Sequence, residues 1–336
     1  MSTSLVQTFM KYIPIRVSRV SINSIRKPFS TKVSVEETLN QILASDVSRE
    51  EICIDYIRNL CSAGNLLEAS RLPQILRSKH IFIGPRAYNY LLEDADRNND
   101  IETLSRIFKD LLVSYGSIES NSYLIFARAF GKRTDPSALL NFVREVCEME
   151  SRVVILNRLI FALGKCGYVH HALMVFDKMP TLDCEPDLVT YNTVLAILGR
   201  LGRVDEMLRV FDVMKSVDLI PDIFTYNTVL NSLRKMGRLD LCLVHFKEMT
   251  VRGIQPDLLT FKDLIESLGR SGNIVEAMKV FDYMKCKGIV PSIYIYRALV
   301  FSLKKMGKME SALKLSMEMN KLPRKFVPRD FRYKNG

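Results

Sequence analysis

Pro186-Asp187-Leu188-Val189-Thr190-Tyr191-Asn192-Thr193 returns 35 residues later as Pro221-Asp222-Ile223-Phe224-Thr225-Tyr226-Asn227-Thr228. A weaker copy follows after another 35 residues, Pro256-Asp257-Leu258-Leu259-Thr260-Phe261-Lys262-Asp263. A fixed period of this size marks stacked units that each bury a face on the next, not one closed globule. The repeated words therefore decide the fold class.

Between two copies the apolar residues have helical spacing. Tyr191, Val194, Leu195 and Leu198 fall at i, i+3, i+4 and i+7, one face of a helix. Gly202 after Arg200-Leu201 is a helix stop signal. Val204, Met207, Leu208, Val210, Phe211 and Met214 form a second helical face. Pro221 cannot continue that helix, and Asp222 suits the N-cap of the next. One unit is thus helix, tight turn, helix and short linker.

The marks recur in register. The turn glycine is Gly167, Gly202, Gly237, Gly272 and Gly307. The second helix carries Phe176, Phe211, Phe246 and Phe281, then Met179, Met214, Met249, Met284 and Met319, all expected in the core. Upstream the pattern persists with Gly131 one residue early and with Gly64 in place. The chain is predicted to be all-α, a solenoid of helix-turn-helix hairpins with about eight 35-residue repeats over 50–327. Their starts are at 50, 85, 118, 153, 188, 223, 258 and 293, the second unit being shortened. Ser34 with Glu37 resembles a capping box, so 34–49 is expected to hold an N-terminal capping helix. Residues 328–336 form a basic C-terminal tail.

The formal charge of +11 sits at the ends of the 336-residue chain. Residues 1–35 hold six Lys/Arg and no acid, and residues 321–336 hold six against Asp330 alone, which leaves 36–320 near neutrality. Any contact of the body with nucleic acid must use locally placed cations. The acid-free start, mixing Arg with Ser, Thr and apolar residues, reads as a mitochondrial transit peptide over 1–33, with a chloroplast address as the alternative. The seven cysteines form no CxxC pair and the four histidines show no zinc spacing with them, so no metal or other cofactor is expected. No apolar run reaches the roughly 18 residues of a membrane helix. No phosphate loop, nucleophile elbow, or HxE with a downstream CxxC occurs, so neither catalysis nor a small-molecule substrate is expected.

The 35-residue period, the Tyr-Asn-Thr start, the turn Gly, the closing Met and the Pro-Asp end together resemble pentatricopeptide repeats of the plain-length (P-type) subclass found in plant organelles. The resemblance implies a right-handed superhelix that reads single-stranded RNA at about one base per repeat. It assigns base reading to the fifth and last residues of a unit: Asn157 with Asp187, Asn192 with Asp222, Asn227 with Asp257, and more weakly Lys262 with Ser292. An Asn–Asp pair implies U, then C. The Asn amide offers a donor and an acceptor, and the Asp can hold it in one orientation. The pairs Ile54/Gly84, Asn89/Ser117 and Ser122/Arg152 give no clear base, and Arg297 has no certain partner.

The second residues, Val154, Val189, Phe224, Leu259 and Tyr294, are implied to stack on bases; the alternative is ordinary packing at a helix start. At position 13 stand Lys165, Arg200, Lys235, Arg270 and Lys305, one cation per unit at one phase. They suggest a phosphate track, or simply cations that complement a helix C-terminus. The predicted partner is single-stranded organellar RNA with a U-favoured pyrimidine core, bound to serve processing, stabilisation, splicing or translation. The alternative is a structural subunit associated with the mitochondrial ribosome, or a protein–protein scaffold.

Overall fold

The computed structural model describes residues 49–80, 83–115, 118–150 and 152–322. The expected transit peptide, nearly all of the expected N-terminal capping helix, and the basic tail lie outside these residues. Sixteen α-helices and one 3-10 turn (Pro180–Leu182), with no strand, make up the regular structure of the described residues. They pair as eight hairpins: α1 Arg49–Ser62 with α2 Leu66–Ser78, α3 Pro85–Arg97 with α4 Ile101–Ser114, α5 Ser120–Gly131 with α6 Ser137–Cys147, and α7 Arg152–Lys165 with α8 Val169–Lys178. Then come α9 Leu188–Arg200 with α10 Val204–Ser216, α11 Ile223–Lys235 with α12 Leu239–Val251, α13 Leu258–Arg270 with α14 Ile274–Cys286, and α15 Ile293–Lys305 with α16 Met309–Asn320. The fold is an all-α repeat solenoid.

Two compact units divide the chain, residues 1–91 and 92–336. In the first, α1 packs on α2, and Cys53 and Ile57 of α1 and Ala69, Leu72 and Leu76 of α2 are buried. Arg58 reaches Tyr90, donating to its hydroxyl at 3.0 Å and lying 5.0 Å from the ring centroid.

In the second unit, from α5 onward, the first helix of each hairpin packs on the first helix of the next. The core starts at an aromatic cluster of Phe108, Phe126, Phe130 and Phe142, with neighbouring centroids 4.2–6.3 Å apart. Beyond it one edge-to-face pair recurs at every joint. The pairs are Phe176–Tyr191, Phe211–Tyr226, Phe246–Phe261 and Phe281–Tyr296, with centroids at 5.3, 5.5, 5.6 and 5.3 Å. Such pairs contribute about 0.5–1.5 kcal/mol beyond their buried area, so the ring contact repeats as a joint-by-joint term. The expected core methionines Met179, Met214, Met249 and Met284 are fully buried. Phe176 and Met319 are only half-buried; Met319 lies in the last described hairpin, where no further hairpin is described to cover it.

The turn glycines take left-handed backbone, with φ of +71° at both Gly202 and Gly237. A side chain there would be strained whatever the space around it. Gly131, expected as a turn glycine, instead ends α5 and has no positive φ. A Cβ on Gly131 would collide with the Tyr168 ring, so this glycine serves close packing.

A second glycine row sets how tightly neighbouring first helices approach. A Cβ on Gly164 would strike the Ile197 side chain, one on Gly199 would strike Ser232, and one on Gly269 would strike Ser302. Hairpin six has Arg234 in this slot. Its guanidinium lies 3.3 Å from Asp263 and 3.4 Å from Asn231. Here α11 and α13 touch far less than the other neighbouring first helices from α5 to α15. A bulky ion pair replaces a glycine contact and wedges the joint open.

Candidate RNA interface

Asp187, Asp222 and Asp257 each N-cap a first helix. Their carboxylates accept from the backbone N–H of Thr190, Thr225 and Thr260 at 2.8, 2.7 and 2.7 Å. Capping satisfies an amide that the helix cannot bond itself. At Asp187 and Asp222 the Thr hydroxyl also receives the Asp N–H, closing a capping box.

Two of these aspartates do a second task. Asn157 donates from Nδ2 to Asp187 Oδ1 at 3.0 Å, and Asn227 donates to Asp257 Oδ2 at 3.2 Å. The same carboxylate thus caps one hairpin and tethers the amide of the preceding one. The sequence did not point to the third partner. Thr190 Oγ1 lies 2.5 Å from Asn157 Oδ1, and Thr260 Oγ1 lies 2.6 Å from Asn227 Oδ1. Each hydroxyl also lies 2.8 Å from the neighbouring Asp Oδ1, so its one proton is shared between two acceptors, the amide oxygen and the carboxylate. A carboxylate that only accepts faces Nδ2 and a hydroxyl faces Oδ1, which together favour one orientation of the amide.

Asn192 differs. No hydrogen bond joins it to Asp222, and its Oδ1 is buried without a partner. The Thr225 hydroxyl reaches Asp222 at 2.7 Å, as Thr190 and Thr260 reach their own aspartates at 2.8 Å, but no bond joins it to Asn192. Asn157 and Asn192 are 8% and 7% exposed. The close approaches at Gly164 and Gly199 explain that burial. Asn227, beside the wedged joint, is half-exposed and lines an opening with Asn231, Arg234, Leu259, Thr260 and Asp263. No hydrogen bond joins Lys262 to Ser292, whose Oγ is buried without a partner. This pair therefore has no tethered amide.

Electrostatics follow the hydrogen bonds. Burial works to raise the Asp187 and Asp257 carboxyls, but the N–H and hydroxyl of the capping Thr and the Asn amide outweigh it, holding both below the ordinary aspartate value. Both carboxylates stay charged at neutral pH and remain acceptors. Burial pushes the Cys242 thiol at the base of the opening up to about 12, which leaves it an unreactive thiol.

The second-position row is on the surface. Val154, Val189, Phe224, Leu259 and Tyr294 are 44–60% exposed, so ordinary core packing does not account for them. Lys165, Arg200, Lys235, Arg270 and Lys305 are exposed as well. Among the described residues, only Arg270 of these five is in an ion pair, with Glu266 at 2.9 Å. Among the described residues no group of three or more His, Cys, Asp or Glu could hold a metal ion, and no helix is long and apolar enough to cross a membrane.

Capped first helices, two tethered amides, an exposed apolar row and a cation row lie on a helical-hairpin repeat array. Family models agree. The PPR repeat family model matches residues 151–196 and 186–235, the PPR repeat model 224–254, and the pentatricopeptide repeat domain model 245–309. The array over these residues belongs to the pentatricopeptide repeat family. The pentatricopeptide repeat-containing protein At1g11900 of Arabidopsis thaliana is 40% identical over 148 residues, covering 41% of this chain and 40% of its own length. Among solved structures, maize PPR10 aligns at 22% identity with a TM-score of 0.47, covering 82% of this chain and 45% of that one. The PPR domain of Arabidopsis thaliana protein-only RNase P 1, solved with tRNA, aligns at 17% identity with a TM-score of 0.45, covering 52% and 94%.

Proposed function

We propose that this protein binds single-stranded RNA through its first helices and reads a short pyrimidine core, U favoured, at Asn157, Asn192 and Asn227. The observation that carries the reading is the juxtaposition, in consecutive hairpins, of an exposed apolar side chain with an Asn amide three residues further on. A base needs a face to stack on and an edge to bond. Stacking of this kind contributes roughly 1–3 kcal/mol per base. Leu259 lines an opening together with Asn227, and Phe224 precedes Asn227 by three residues as Val189 precedes Asn192. Lys165, Arg200, Lys235 and Lys305, free of ion pairs among the described residues, would position the phosphates without reading sequence.

Occupancy of RNA is sufficient for such a protein to act: it shields a transcript from nucleases, holds a splicing fold or opens a translation start. The acid-free Arg-rich start supports a mitochondrial setting, with a chloroplast one as the alternative. Cross-linking the tagged protein in isolated organelles and sequencing the bound RNA tests the reading. A short U-rich footprint in one or a few messenger or intron sequences is expected. Recovery dominated by ribosomal RNA would favour a ribosome-associated subunit, and no RNA above background would favour a scaffold.

A further inference from the structure

The joint between hairpins six and seven is fastened on one side only, and we propose that it is a hinge about which hairpins seven and eight swing relative to hairpins three to six. The hinge belongs to the fold, whatever the array binds.

Two contacts close each neighbouring joint. An aromatic pair holds the second helix of one hairpin to the first helix of the next: Phe176–Tyr191, Phe211–Tyr226 and Phe281–Tyr296. A glycine then lets the two first helices meet, Gly164 against Ile197, Gly199 against Ser232 and Gly269 against Ser302. The joint between hairpins six and seven keeps the first contact and strengthens it. Phe246 of α12 and Phe261 of α13 stand 5.6 Å apart, and Tyr283 of α14 joins them at 6.1 and 6.2 Å. The second contact is lost, because Arg234 stands in the glycine slot and α11 touches α13 far less than other neighbouring first helices touch.

Polar groups take the place of that contact. Asn227 donates to Asp257 at 3.2 Å, the Thr260 hydroxyl lies 2.6 Å from Asn227 Oδ1, and Arg234 meets Asp263 at 3.3 Å. Water competes for all of them: Asn227 is half-exposed, and the Arg234 and Asp263 side chains are 26% and 23% exposed. Links between polar groups that water can reach contribute little, since each is exchanged for a bond to water. Arg234 Nε is buried without a partner, so an opened joint also hydrates an N–H that the closed joint leaves unsatisfied. Little apolar contact opposes the opening between α11 and α13. The three-ring cluster, which ties α13 to α12 and α14, serves as the pivot. Rigid bodies that turn about a few residues in this way are hinge movements on the microsecond to millisecond scale.

Pulsed electron paramagnetic resonance on the full chain reads the motion as the width of a distance distribution. Cys61, Cys166 and Cys286, the cysteines that are not buried, are first replaced by Ser. Spin labels at Arg200→Cys and Arg270→Cys, both exposed positions, then span the joint, whereas labels at Lys165→Cys and Lys235→Cys span the same number of hairpins without it. The first pair is expected to give the wider distribution. Arg234→Gly with Asp263→Ala should narrow it to the width of the second pair and shorten its mean by up to about 2 Å, the range over which helix spacing follows the contacting side chains. Asp263→Asn keeps the bulk of Arg234 but removes the ion pair, and should widen the distribution further. Equal widths for the two label pairs overturn the proposal, as does a width that Asp263→Asn leaves unaltered. The comparison of the two pairs needs no substitution at the joint, so it decides even where a joint variant fails to fold.

Discussion

At the residue scale, one carboxylate serves two hairpins. Asp187 and Asp257 cap the helix that follows them and tether the amide of the hairpin before them. Asp222 only caps. Replacing Asp222 by Ala should therefore cost about 1 kcal/mol, the usual worth of an N-cap, without touching Asn192; thermal unfolding followed by circular dichroism reads it. The depressed carboxyls give a pH dependence with a definite sign. A group whose folded pKa is lowered stabilises the fold above its unfolded value, about 3.9 for Asp, and loses that contribution as pH falls through the folded pKa. The melting temperature should thus hold above about pH 4 and fall below it, and Asp187→Asn should flatten that fall. The Asp caps were legible in the sequence from a fixed period and a known cap preference, whereas the Asn–Asp pairs came from the family resemblance, and two of the three are joined. The Thr hydroxyl was not legible. Within its own unit Thr190 reads as a capping-box residue, and its second partner lies 33 residues away.

At the element scale, hairpins are spaced by what occupies one slot near the end of each first helix. Gly164, Gly199 and Gly269 let backbones close on Ile197, Ser232 and Ser302, and Arg234 does not. Gly199→Ala should force the Ser232 side chain aside and cost about 1–3 kcal/mol, as overpacking does. The double substitution Arg234→Gly with Asp263→Ala should let α13 close on α11, and a crystal structure of that variant reads the separation directly. The helices themselves were legible from 3.6-residue periodicity, Gly stops and Pro-Asp starts. The spacing of hairpins was not, since a helix-interior glycine shows its purpose only beside the side chain that approaches it. Gly131 makes the same point. Sequence register put it in a turn, and the Tyr168 ring explains why it ends a helix instead.

At the scale of the whole molecule, the excess positive charge of the sequence lies at the chain ends, while the near-neutral middle carries one exposed cation at the same register position in five of its hairpins. Removing one cation that neutralises a phosphate of a single strand should lower the slope of log K against log salt by about 0.7. Lys235→Ala is expected to reduce the slope by that amount and to weaken all single-stranded RNAs alike, unlike a base-reading substitution. Period and composition made the array, its class and its neutral middle legible. Which of its Asn amides is exposed was hidden, because accessibility depends on how closely two hairpins sit.

The central claim is that Asn amides on consecutive first helices read RNA bases. The most direct measurement compares the affinity of the wild-type chain and of Asn227→Ala for one U-rich oligonucleotide across a salt series. A loss of about 1–3 kcal/mol with an unchanged salt slope is predicted, the usual worth of a base contact. Equal affinity of the two proteins for that RNA would contradict it.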